Sequence, residues 1–231
     1  MEHSSRAQDG GPTLVHLLAH FAGTVAPPPP QAPSSHLAHW VDWRQAVALA
    51  AALESRPAPE ADPAPGPEPG GEDECARLRA TLVRSIDGDR AFAADARHGG
   101  GTPKADFYRQ RCIALQQLMG AEVGLLRKRR RERLARRSHA FARLAAVDAV
   151  MEQALAPRER ALLASVPAAL ACHFERLREA HGGDRDDVTP WLDRFRRDLR
   201  TLLLAELDLR LQPARGLSSA LRNDMAGPHA D

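Results

Sequence analysis

Cysteine is scarce in this chain. There are three in 231 residues, at Cys75, Cys112 and Cys172. Such wide spacing excludes a disulfide framework and any CxxC zinc module. Aromatic residues are only 4% of the sequence, so a core must be built from Leu, Val and Ala. No run of 18 apolar residues occurs, which excludes a transmembrane helix of ordinary length. Charge of one sign is also missing overall, with 32 basic residues against 30 acidic and a net of +2. The alternating pattern of strands is absent, and so is any internal repeat. No GxSxG, no HExxH and no phosphate-cradling GK[ST] loop can be found, and Gly99-Gly100-Gly101 reads as a flexible turn. Lysine is nearly lacking: Lys104 and Lys128 stand against thirty arginines. Arg, Ala and Pro share G+C-rich codons, so genome composition accounts for the arginine excess before any chemistry need be invoked.

What is present is helical. The stretch around residues 13–22 is apolar but preceded by Glu2 and Asp9, with Arg6 opposing them, and it is interrupted by His16 and His20. That is a poor export signal, which needs a positive leader and a cleaner apolar run. Leu14, Leu17, Leu18 and Phe21 fall instead at helical spacing. With no export signal and unpaired cysteines, a cytoplasmic location is expected. Pro27 to Pro30 form a stiff spacer, so residues 1–33 make a short helix and its proline tail. A second helix is expected over 34–55, capped by Ser34 or Ser35 and carrying Trp40 and Trp43 on nearly one side.

Residues 56–73 read RPAPEADPAPGPEPGGED, with six prolines and three glycines. They have little to bury and are expected to be a disordered acidic linker. A helical bundle should occupy 74–222, with a frayed tail over 223–231. Its first helix, about 74–95, is weakened by Gly88. Stepped at 100° per residue, Leu115, Met119, Val123 and Leu126 share one face. Phe141, Leu144, Met151 and Leu155 fall on that same face when the angle is carried through. This predicts one very long central helix over about 104–155. Pro157 then fits a helix start, Pro167 a kink or restart, and Pro213 the end of a last helix running from about 190 to 211. Asp193 with Arg197, and Glu206 with Arg210, read as pairs on the wet side of that helix. The fold class is all-α: about six helices in an elongated bundle with one very long central helix.

The densest local chemistry lies at residues 127–137, where eight of eleven residues are basic: Arg127, Lys128, Arg129, Arg130, Arg131, Arg133, Arg136 and Arg137. Residues 104–160 carry fourteen basic and six acidic residues, whereas 54–75 carry one basic and seven acidic. Near-neutrality therefore conceals a dipolar chain. Arg130, Arg133 and Arg137 fall on the stripe that is apolar above and below. Unpaired burial there would cost several kcal/mol, on the order of the penalty for any desolvated ion. The segment must be wet, paired with acids, or docked on an anion. Nucleic acid, anionic lipid and the chain's own acidic linker are all candidates. Against nucleic acid, no aromatic is interleaved for base stacking.

His16 with His20, and His36 with His39, each set two imidazoles on one face, as metal sites do, yet no carboxylate or cysteine lies near them in sequence. Trp40, Trp43 and Trp191 can plug a core or anchor an interface. Cys112 and Cys172 are expected to be small buried hydrophobes and Cys75 to be exposed. No nucleophile has a base that can be placed beside it, so the expectation is a non-enzymatic protein with no cofactor.

Three stretches carry a resemblance: HWVDWRQAVALAAAL (39–53), LAAVDAVMEQALAPRER (144–160) and AELDLRLQP (205–213). The chain resembles, over about 35–222 apart from the linker, a proteobacterial family of uncharacterised all-helical proteins known mainly from Burkholderia-type and Xanthomonas-type bacteria. The resemblance implies an accessory to a bacterial envelope assembly and supplies no catalytic residues. The expected role is thus a helical interaction or scaffold protein. Its partner would be a second chain or another protein, met through the long helix with Trp40, Trp43, Phe141, Leu144 and Met151 at the interface. The alternative is nucleic-acid binding through the basic helix.

Overall fold

A computed structural model describes residues 14–23, 42–54, 71–93, 104–181 and 189–225. Among them are six α-helices, one 3-10 turn and no strand, in agreement with the all-α expectation. The helices are α1 (Leu14–Ala22), α2 (Trp43–Glu54), α3 (Gly71–Asp87), α4 (Ala105–Arg137), α5 (His139–Ala180) and α6 (Thr189–Met225). The 3-10 turn, Arg90–Phe92, follows α3.

Local chemistry sets most of the boundaries. Asp42 and Gln45 form a reciprocal capping box at the start of α2: Gln45 N donates to Asp42 Oδ1 at 2.8 Å, and Asp42 N donates to Gln45 Oε1 at 2.9 Å. The helix expected from residue 35 is therefore capped at Asp42. Trp40, His36 and His39 lie outside the described residues. Helix α3 ends at Asp87 rather than near 95, and Asp89 caps the 3-10 turn by accepting from Ala91 N at 2.9 Å. Of the expected linker, residues 56–70 lie outside the described residues, and the last three form the first turn of α3.

The long central helix is present, but with different bounds. It runs through α4 to Arg137, and Ser138 is extended, with φ −159° and ψ 168°. The Ser138 hydroxyl accepts from Phe141 N, and its carbonyl from Ala142 N at 2.8 Å, so this residue caps α5. Helix α5 then folds back antiparallel along α4, as the pairings of Gln116 with Leu163, Arg127 with Glu152 and Arg131 with Asp148 show, partner numbers falling as those on α4 rise. The rod over 104–155 is thus two helices in a hairpin. A straight rod would leave two apolar stripes in water, whereas the hairpin buries one of them in the bundle. Leu115, Met119, Val123 and Leu126 enter the main core. Phe141 packs on a satellite cluster of Leu134, Ala145 and Leu217.

The prolines are the second correction. Pro157 and Pro167 lie inside α5, and Pro213 lies inside α6. Pro167 has no N–H to give the Leu163 carbonyl one turn earlier. The side chain of Gln116 supplies the donor instead, at 3.0 Å. At Pro213 the apolar stripe simply continues: Leu207, Leu211, Ala214 and Leu217 are all buried. Burying two or three such side chains outweighs the local cost of a helical proline, about 3 kcal/mol.

The core is aliphatic along its length and aromatic at one end. Tyr108, Phe174, Trp191 and Phe195 meet there edge to face, with Phe174 and Phe195 centroids 5.0 Å apart. Trp191 is a core plug. Trp43 is not: it is 82% exposed on α2. Cys75 is buried, with its sulfur 3.4 Å from the Ser218 hydroxyl, and Cys172 is exposed, the reverse of expectation; Cys112 is buried as expected.

Candidate anionic-partner site

The hairpin sorts seven of the eight basic residues of 127–137 into three groups. Arg127 and Arg131 lie one turn apart on α4 and face Asp148 and Glu152, one turn apart on α5. Arg127 meets Asp148 in a forked contact at 2.9 and 2.7 Å and reaches Glu152 at 3.4 Å. Arg131 bonds Glu152 and lies 3.5 Å from Asp148. These four charges are mostly withdrawn from water and hold the two helices in register, with both guanidiniums neutralised.

The second group converges on a single carboxylate. Glu74, in the first turn of α3, takes Arg129 at 3.1 Å, Arg130 at 2.9 Å and Arg133 at 3.3 Å. Arg130 is 1% exposed, so its charge is viable only with such partners. Three guanidiniums on one carboxylate leave a local surplus of positive charge.

The third group faces solvent. Lys128 and Arg136 are exposed, and with them Arg143 of α5, without an ion pair to the described residues. Arg137 is half-buried and engaged elsewhere. At 100° per residue, Lys128, Arg129, Arg133 and Arg136 share an outward arc of about 140° with Glu132. Across residues 127–152 and Glu74, nine basic side chains stand against four acidic. The hairpin tip is therefore cationic after its internal pairs are formed. Among the described residues it carries no exposed Phe, Tyr or Trp, since Phe141 is half-buried; the exposed ring there is the His139 imidazole. Of the other interface candidates, Leu144 is 37% exposed, and Met151 is half-buried.

The remaining chemistry-bearing side chains are locked into packing. Glu206 is fully buried rather than on a wet face. It accepts from Gln116 at 2.9 Å and from Arg210 at 2.9 and 2.8 Å. Burial holds its carboxyl above the usual range against those hydrogen bonds, with Glu159 adding to the effect. Gly120 gives the Arg210 guanidinium its room: a Cβ there would lie 3.3 Å from it. The Cys112 thiol, beside this node, is pushed up to about 12 by burial and by Glu206. A thiol so poised is no nucleophile near neutrality. Asp193 pairs with Arg196 at 3.4 Å rather than with Arg197.

His173 is buried, stacked on Phe21 with centroids 4.3 Å apart, and bonded to Asp198 at 2.8 Å. Burial lowers its pKa, against the pull of Asp198. Arg176 alongside donates to the last carbonyls of α1, His20 at 2.9 Å and Phe21 at 2.7 Å. His16 and His20 are exposed, and among the described residues no three metal-ligating side chains gather.

Glu74, Asp148 and Glu152 are the site residues that sequence reasoning missed. A signal for two of them existed: Asp148 and Glu152 repeat the four-residue spacing of Arg127 and Arg131. For Glu74 the signal was the acidic stretch 54–75, a candidate partner of the arginines by charge alone; which of its acids would meet α4 was not legible.

A family model described as "Protein of unknown function (DUF3348)" matches residues 1–223. The chain belongs to this family. No curated protein and no solved structure matches it. DUF3348 membership covers the resemblance to an uncharacterised family but brings no assigned activity.

Proposed function

We propose that this chain is a non-enzymatic helical interaction protein, and that the partner it holds at the hairpin tip is nucleic acid, gripped through its phosphates. The observation that carries the reading is the outward cationic arc of Lys128, Arg129, Arg133 and Arg136, in which Arg129 and Arg133 share the single carboxylate of Glu74 and Lys128 and Arg136 form no ion pair with the described residues. From Lys128 to Arg136 the helix rises about 12 Å. A nucleic-acid strand offers a charge roughly every 3.4 Å of duplex, so several phosphates fall within that reach. Arginine's planar fork suits phosphate oxygens. With no exposed Phe, Tyr or Trp at the tip among the described residues, the surface suits contact with the backbone more than with bases, hence binding indifferent to sequence. The buried and stacked states of Cys112, His173 and Glu206 support the non-enzymatic part.

The test is anisotropy of a fluorescein-labelled duplex of arbitrary sequence. Affinity should fall steeply between about 50 and 200 mM salt, by roughly 0.9 logarithmic units per phosphate contact for each decade of salt. The triple change Lys128→Glu, Arg136→Glu and Arg143→Glu should abolish most of it. Binding that ignores both salt and the triple change would remove the reading.

A further inference from the structure

We infer that Glu74 is a built-in competitor for the phosphate site: its carboxylate occupies the guanidinium cluster of Arg129, Arg130 and Arg133, and an incoming phosphate displaces it. The inference rests on the nucleic-acid reading above and adds its regulation. Carboxylate and phosphate present the same oxygens to an arginine fork, so the position of the Glu74 carboxylate marks where a phosphate would sit. Both of its oxygens are taken, Oε1 by Arg129 and Oε2 by Arg130 and Arg133.

The way α3 is anchored makes release feasible. Further along, Arg79 grips Asp208 of α6 at 2.9 and 3.0 Å, and Asp87 grips Arg200 at 2.6 and 3.1 Å. Leu82 and Ile86 are buried in the core. These contacts hold α3 on α6 whether or not its first turn touches α4. The first turn also carries Glu72 and Asp73 in sequence, at the end of a segment with seven acids and one base. Glu74 itself lies near the start of α3, where the positive end of the helix favours a carboxylate as well.

The experiment compares the full chain with Glu74→Gln, Glu74→Asp and Glu132→Gln, using the same labelled duplex over a salt series. Glu132 lies on the outward arc and reports the plain effect of deleting one negative charge. Glu74→Gln should bind about threefold to tenfold tighter, with a salt slope steeper by about one, as expected when an internal occupant is removed. Glu132→Gln should gain less than about twofold on the same grounds. Glu74→Asp keeps the charge but withdraws the carboxylate by one methylene, so it should fall between the full chain and Glu74→Gln. It decides the matter if the glutamine variant fails to fold. A gain at Glu74 no larger than at Glu132, or weaker binding by a natively folded Glu74→Gln, overturns the competitor while leaving nucleic-acid binding intact. No binding by any form at low salt overturns both.

Discussion

Gln116 shows how much one side chain can carry. Its amide joins three helices by donating to the Leu163 carbonyl that Pro167 strands and to the Glu206 carboxylate. Gln116→Ala leaves both acceptors unmatched, and it should lower stability by about 2–4 kcal/mol in a denaturant titration. Glu206 itself makes stability depend on pH. Its folded pKa lies above that of the unfolded chain, so the folded state holds the proton more tightly. The stabilisation is fully present below the ordinary glutamate value of about 4.3 and is lost as pH rises through the higher folded value. His173 works in the opposite sense: its folded pKa is lowered, so stability falls as pH drops below about 6.5. Melting temperatures of Glu206→Gln and His173→Gln across weakly acidic pH should separate the two slopes. The first variant should lose the decline toward neutrality, and the second the decline toward acid.

At the scale of elements, the turn at Ser138 and the helical prolines are the points to probe. Ser138→Ala removes the hydroxyl that caps α5 and should cost about 0.5–2 kcal/mol without changing the fold. Pro213→Ala should go the other way. Residue 213 sits in continuous helix, so restoring its N–H should stabilise by about 1–3 kcal/mol. Calorimetric melts check both, and a destabilised Pro213→Ala would mean that α6 needs a local bend there. The elements also show what could be read in advance. Helix type and the inward faces of α4 and α6 were legible, because apolar spacing within a few turns fixes which side is greasy. The break at Ser138 was not, even though serine is a favoured cap. One extended residue between two helices leaves apparent phase coherence at 100° per step, so the wheel gave no warning.

For the whole molecule, charge is distributed as rungs inside and surplus outside. Arg127→Glu places a third acid against Asp148 and Glu152 in a poorly solvated site, and it should destabilise by about 3–5 kcal/mol. Lys128→Glu, Arg136→Glu and Arg143→Glu lose no ion pair among the described residues and should each stay within about 0.5 kcal/mol. Equal losses at the two kinds of position, measured by chemical denaturation, would contradict this division of the basic run. The same division explains why the site was only half visible in the sequence. A helical wheel of residues 127–137 shows basic residues all round the axis and cannot say which are spent on neutralising the chain's own acids.

Sequence alone determined that the chain is helical, that α4, α5 and α6 each carry an apolar stripe, and that positive charge peaks near residue 130. Those properties depend on neighbours within a turn or two, which local spacing records. Tertiary structure alone decided that the long helix doubles back, that Cys75 is covered and Cys172 bare, that Glu206 is interior, and that one carboxylate from α3 answers three arginines. Each of these depends on which distant segments meet. That choice is made by the free energy of burying whole stripes together, and no short stretch of sequence contains it.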